Sequence, residues 1–112
     1  MHFRMARLVL ICTLLLLSGC VTGGYNLREG IRDFQIQNYR QAFIRLKPEA
    51  DKGQRDAEYA VGYMYYYGQG VVENRKKAWY WISCAARAGQ ADAMEAARIL
   101  ETKRPPNADY MG

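Results

Sequence analysis

The apolar positions of the chain recur with helical spacing. Ala57, Ala60, Val61 and Met64 fall at i, i+3, i+4 and i+7, along one face of a helix. Ala78, Trp81, Ile82, Ala85 and Ala86 form a second stripe. Gly68 and Gly70 separate the two, because glycine accepts the left-handed conformations that follow a helix C-terminus. Asn74 is placed to cap the second helix and Gly89 to end it. Upstream, Ile31 and Phe34 give a weaker stripe, and Asn26 with Glu29 three residues later has the form of a capping box. The pattern predicts helices at about 27–36, 39–52, 54–67, 75–88 and 90–102. Pro48 is expected to kink or break the second of these near Lys47, since proline removes a donor and crowds the preceding turn. Pro105-Pro106 closes the helical region, so residues 103–112 are expected to form a flexible tail.

The helices repeat. A shift of 36 positions brings Asn38 onto Asn74, Ala42 onto Ala78, Ala50 onto Ala86 and Gly53 onto Gly89. It also brings Gln54 onto Gln90, Asp56 onto Asp92, Ala57 onto Ala93 and Ala60 onto Ala96. Such a period marks a helical solenoid. The expected fold is all-α, a short α-solenoid of antiparallel helix pairs. The expected content is one complete unit with flanking halves, the first helix acting as a cap. About three repeats are usually needed for stability, which predicts a marginal domain or one completed by a partner.

Ala57, Gly62, Met64, Tyr65, Gly68, Gly70, Val71, Ala78, Trp81, Ala85, Ala86 and Gly89 together resemble the Sel1-like repeat, a relative of the tetratricopeptide repeat. Ile82 departs from the pattern, which usually has an aromatic beside the tryptophan. The resemblance implies that the first helix of each repeat lines a concave surface. It implies structural roles for the residues just named.

The N-terminus has a different pattern. His2, Arg4 and Arg7 precede an apolar run from Leu8 to Leu17, too short to span a bilayer and suited to a signal-peptide core. Leu17-Ser18-Gly19-Cys20 follows and resembles a bacterial lipobox, which implies cleavage before Cys20 and lipid on its sulfur. The expected organisation is a leader at 1–19, a lipidated start and short tether at 20–26, the repeat domain at 27–102 and the tail at 103–112. Val21 leans the sorting towards the outer membrane, facing the periplasm. The whole chain carries +5 at neutral pH. The mature form would keep 14 basic residues against 11 acidic, too mild a balance for a nucleic-acid partner.

The residue inventory argues against chemistry. The single histidine is in the leader, so the mature chain lacks the commonest general base and metal ligand. Ser83 sits mid-helix without a base, and no cysteine pair has metal-ligand spacing. Gly68-Gln69-Gly70 lacks the Lys-Ser/Thr of a phosphate loop. Glu49/Asp51 and Asp56/Glu58 are expected to be solvated charges. No catalytic residue, cofactor or metal is implied. Cys84 is expected to be a small buried residue, with an intermolecular disulfide as the alternative. Arg75, Lys76 and Lys77 oppose the dipole of the helix they open, which reads as a solvated face or as attraction to an acidic partner or headgroups.

Tyrosine is the unusual feature. Tyr59, Tyr63, Tyr66 and Tyr67 share one side of a helix, and Tyr59, Tyr63 and Tyr66 are candidates for contacting a partner. Tyrosine suits recognition because it offers large area at low entropy cost plus a hydroxyl. The alternative is packing on neighbouring helices. The first functional reading is a membrane-anchored scaffold that binds a protein or peptide in its groove. The second is an accessory subunit docking through its open last helix, a homodimer included. A cell-wall or β-lactam hydrolase fits least.

Overall fold

The computed structural model describes residues 4–7 and 24–103. The apolar run at 8–17, Cys20 and the tail beyond Lys103 lie outside the described residues. Residues 4–7 are helical, as are residues 24–35, here α1. Then follow α2 (Tyr39–Asp51), α3 (Arg55–Tyr67), α4 (Arg75–Arg87) and α5 (Ala91–Thr102). Among the described residues there is no strand. The fold is an all-α solenoid of paired antiparallel helices.

Helix α1 is already formed at residue 24, so Asn26 lies inside it and does not open it. Glu29, expected to reach back to Asn26, instead lies 3.8 Å from Arg45 on α2. Arg45 Nε is also 3.3 Å from Asp33, which fastens the two helices. Helix α2 continues through Pro48 to Asp51, so the break expected near Lys47 does not occur. Proline removes one N–H that would have bonded the carbonyl of Ile44. Ile44 is 55% exposed, so water can satisfy that carbonyl. Only one further turn has to form, and Lys52 N–H bonds the Pro48 carbonyl at 3.2 Å.

The 36-residue period is visible in the turns. After α2, Gly53 N–H bonds Ala50 O and Gln54 N–H bonds Glu49 O. After α4, Gly89 N–H bonds Ala86 O and Gln90 N–H bonds Ala85 O. Gly53 and Gly89 take φ of 87° and 86°, the left-handed geometry such turns require. Gln54 and Gln90 then cap α3 and α5 with their side chains.

One equivalence escapes that period. A Cβ added at Gly62 would lie 2.7 Å from Ile82, and one added at Gly30 would lie 2.6 Å from Leu46. Leu46 and Ile82 are a 36-residue pair, but Gly30 and Gly62 are 32 apart. The connection at 36–38 is four residues shorter than the one at 68–74. Hence α1–α2 is a full helix pair, α3–α4 a second, and α5 opens a third. Over residues 38–100 the expected complete unit with a half on either side is present, but α1 is more than the expected cap, because it pairs with α2.

The core has two parts. Ala42, Leu46, Ala50, Ala57, Val61 and Met64 form one cluster, against which Leu27, Ile31 and Phe34 of α1 pack. Ile82, Ala85 and Ala93 form the other, joined by Ala96, Ala97 and Leu100.

A tyrosine-lined candidate binding groove

Helices α1, α3 and α5 present adjacent walls, and two cavities lie between them. The first, of about 430 Å³, has walls from Ile31 and Phe34 of α1 and Asp56, Tyr59, Ala60 and Tyr63 of α3. The second, of about 220 Å³, is walled by Tyr59, Tyr63, Tyr66 and Tyr67 of α3 and by Ala96, Ile99, Leu100 and Lys103 of α5. Leu46 contributes to the first and Ile82, its equivalent one repeat on, to the second. The cavities are therefore two instances of one inter-repeat space, with Tyr59 and Tyr63 between them.

The α3 wall follows helical geometry. Positions 56, 59, 60, 63, 66 and 67 keep the spacing of one face. The opposite face, through Ala57, Val61 and Met64, is fully buried. Gly62 is the point of closest approach, where a side chain would strike Ile82 and the Ala78 carbonyl.

Tyr59, Tyr63 and Tyr66 are half-buried and all line the second cavity. They also pack on other rings. Tyr63 meets Phe34 edge-on at 5.6 Å and Tyr59 at 6.3 Å, while Tyr66 meets Tyr67 at 4.9 Å. Packing and groove lining, posed as alternatives by the sequence, are both features of the same rings. Burial, followed by the nearby Asp92 carboxylate and the neighbouring tyrosines, pushes the Tyr59 phenol above its ordinary range. It stays a neutral hydrogen-bond donor at physiological pH.

The remaining sequence candidates fall elsewhere. Met64 is core, and half-buried Tyr65 packs edge-on against Phe43 at 5.5 Å. Ala78 and Ala85 are fully buried, and Ala86 is half-buried. Trp81 is half-buried against the first cluster, with the Lys47 ammonium 5.2 Å from its ring centre. Gly68 ends α3 in left-handed geometry, its N–H bonding Met64 O, and Val71 packs on the first cluster. Of the cations opening α4, Arg75 bonds Glu73 at 2.9 Å and lies 3.7 Å over the Tyr66 ring. Lys77 stands 5.5 Å from the Tyr65 ring. Cys84 is half-buried, not enclosed, and its Sγ accepts from Arg87 Nη2 at 3.6 Å.

Two carboxylates expected to be solvated are buried. Glu49 is 3% exposed and Glu58 is 7% exposed. Glu49 occupies the position of core residue Ala85 one repeat on, and its carboxylate is reached by Lys52 at 3.4 Å. Burial raises the Glu58 pKa, an effect that Arg87 partly offsets. Asp51 and Asp56 are exposed as expected.

Phe34 and Ile31 were read from sequence only as a stripe on a cap, and their place in the groove was missed. The signal was Gly30, obscured because the shorter connection breaks the 36-residue register. No group of three potential metal ligands occurs among the described residues, and no helix there is long and apolar enough to cross a membrane.

Residues 55–90 match the family model of the Sel1 repeat. No curated protein and no solved structure matches the chain. The matched span runs from the first residue of α3 to Gln90, the residue that caps α5, so it takes in one whole helix pair and both of its turns. Residues 55–90 thus form a Sel1-like repeat, a protein-interaction module and not a catalytic one.

Proposed function

We propose that the protein is a lipid-anchored module of the bacterial envelope that holds a protein or peptide segment in the groove lined by Tyr59, Tyr63 and Tyr66. The carrying observation is that one face of α3 places these rings between two open cavities while the opposite face is buried. The anchor rests on sequence: a basic start, a short apolar run, then Leu17-Ser18-Gly19-Cys20. Cleavage there leaves Cys20 as the lipidated first residue. One acyl chain gives only marginal membrane binding, and the two or more of this modification hold a protein stably. Val21 favours the outer membrane, facing the periplasm. The repeat domain runs from about 27 to 102.

The test is affinity capture from solubilised envelope with the full chain and with a Tyr59/Tyr63/Tyr66→Ala variant that circular dichroism shows to be helical. The native chain should recover a partner that the variant loses. Equal recovery by both would remove the groove from recognition. In the same preparations, Cys20→Ser should abolish incorporation of labelled palmitate.

A second reading has one observation behind it. Met94 and Ile99 on α5 are 55% and 37% exposed. A subunit docking there, or a second copy, would cover them. Such a partner should survive the tyrosine substitutions and be lost with Met94→Lys, a position outside the walls of both cavities.

A further inference from the structure

The two cavities are equivalent in position but not in chemistry. The first gathers three rings, Phe34, Tyr59 and Tyr63, about one carboxylate, Asp56. Phe34 and Tyr63 stand nearly perpendicular, at 81°, and Tyr59 and Tyr63 are inclined at 61°. Aromatic rings lining one space attract a cation, and a carboxylate in its wall adds to that attraction. Asp92, one repeat on from Asp56, is close enough to act on the Tyr59 phenol.

Acidic residues in the first turn of a helix often serve the helix itself. Here the capping is done by other groups. Gln54 Oε1 accepts from the N–H of Asp56 at 2.7 Å and of Ala57 at 3.2 Å. Gln90 Oε1 accepts from the N–H of Ala93 at 2.6 Å. Among the described residues neither Asp56 nor Asp92 forms an ion pair. The second cavity has no carboxylate in its walls and carries Lys103 at its edge. The groove walls therefore run from negative at Asp56 to positive at Lys103.

Resting on the groove reading above, we propose that the first cavity is a cation cage, taking a lysine or arginine side chain of the bound polypeptide while an uncharged apolar side chain of the same segment enters the second. Packed helices stand roughly 8–10 Å apart, and an extended strand rises about 3.3 Å per residue. Side chains on one side of a strand recur every second residue, about 6.6 Å apart, so the two that enter the groove are two residues apart in the bound segment.

The test uses the full chain in detergent micelles, with ring-labelled phenylalanine and tyrosine observed by NMR. The probes are the capped pentapeptide Gly-Lys-Ala-Leu-Gly and its analogue with norleucine for lysine. The lysine peptide should shift the rings of Phe34, Tyr59 and Tyr63 saturably and bind about tenfold more tightly than the analogue. Asp56→Asn with Asp92→Asn should erase that preference while leaving the spectrum of the free protein unchanged. If both peptides bind alike, or the preference survives both substitutions, the cage is wrong and the apolar groove stands. If neither peptide binds, the cage is wrong, and the capture experiment alone decides the groove. If tetramethylammonium shifts the three rings and the lysine peptide does not, the site takes quaternary ammonium headgroups and the polypeptide assignment fails.

Discussion

Glu58 shows how far a single side chain can depart from its apparent surroundings. It stands in the first turn of α3, where a carboxylate favours the helix dipole, yet only 7% of it is exposed. Desolvation penalises its charged form more than Arg87 relieves it, so its folded pKa lies above the ordinary glutamate value. A raised carboxylate pKa contributes stability below the unfolded value and loses it as pH rises through the folded one. Glu58→Gln should therefore match the native protein in urea melts below about pH 4 and exceed it at pH 7. An equal difference at both pH values would show that Glu58 is not destabilised as an anion. Sequence spacing could not reveal this burial. Glu49 and Glu58 lie near helix ends, where solvent is the ordinary expectation, and their enclosure comes from other segments of the chain.

At the scale of the element, the helices were legible almost to the residue. Their stripes are continuous, and Gly53, Gly68 and Gly89 mark three of the ends. The errors came where local rules compete with position. Asn26 and Glu29 have capping chemistry, but the helix begins before them and Glu29 serves Arg45 instead. Pro48 has breaking chemistry, but it lies one turn from the end of α2, after the exposed residue Ile44. Its cost should remain in the stability. Pro48→Ala restores an N–H donor and a better helix former, and should raise unfolding stability by about 1–2 kcal/mol after allowing for the freer unfolded chain. A loss on that substitution would mean that the ring makes a contact worth more than the hydrogen bond. The groove was half legible: the tyrosines of α3 announce themselves by spacing, whereas Ile31 and Phe34 belong to a register that the short connection conceals.

For the whole molecule, the turn at 68–74 matters beyond the helices it joins. Gly70, at φ 71°, lies against the start of α2, where an added Cβ would stand 2.5 Å from the Tyr39 carbonyl carbon and 2.8 Å from the Arg40 nitrogen. The turn of the second helix pair is thus seated on the first. Repeat arrays are held by such neighbour contacts, and their cooperativity depends on them. Gly70→Ala combines left-handed strain with backbone contact and should cost about 2–4 kcal/mol. It should also broaden thermal unfolding or split it into two steps. A sharp transition with unchanged stability would show that the seat is loose. The same feature bears on how such an array lengthens by gene duplication. An extra copy of α3–α4 carries its own seven-residue clasp and can latch onto whatever pair precedes it. A copy of α1–α2, with a three-residue link, brings no clasp. Growth is therefore directional: new units derived from the second pair can be spliced in and remain coupled, while units derived from the first would leave a seam in the middle of the rod.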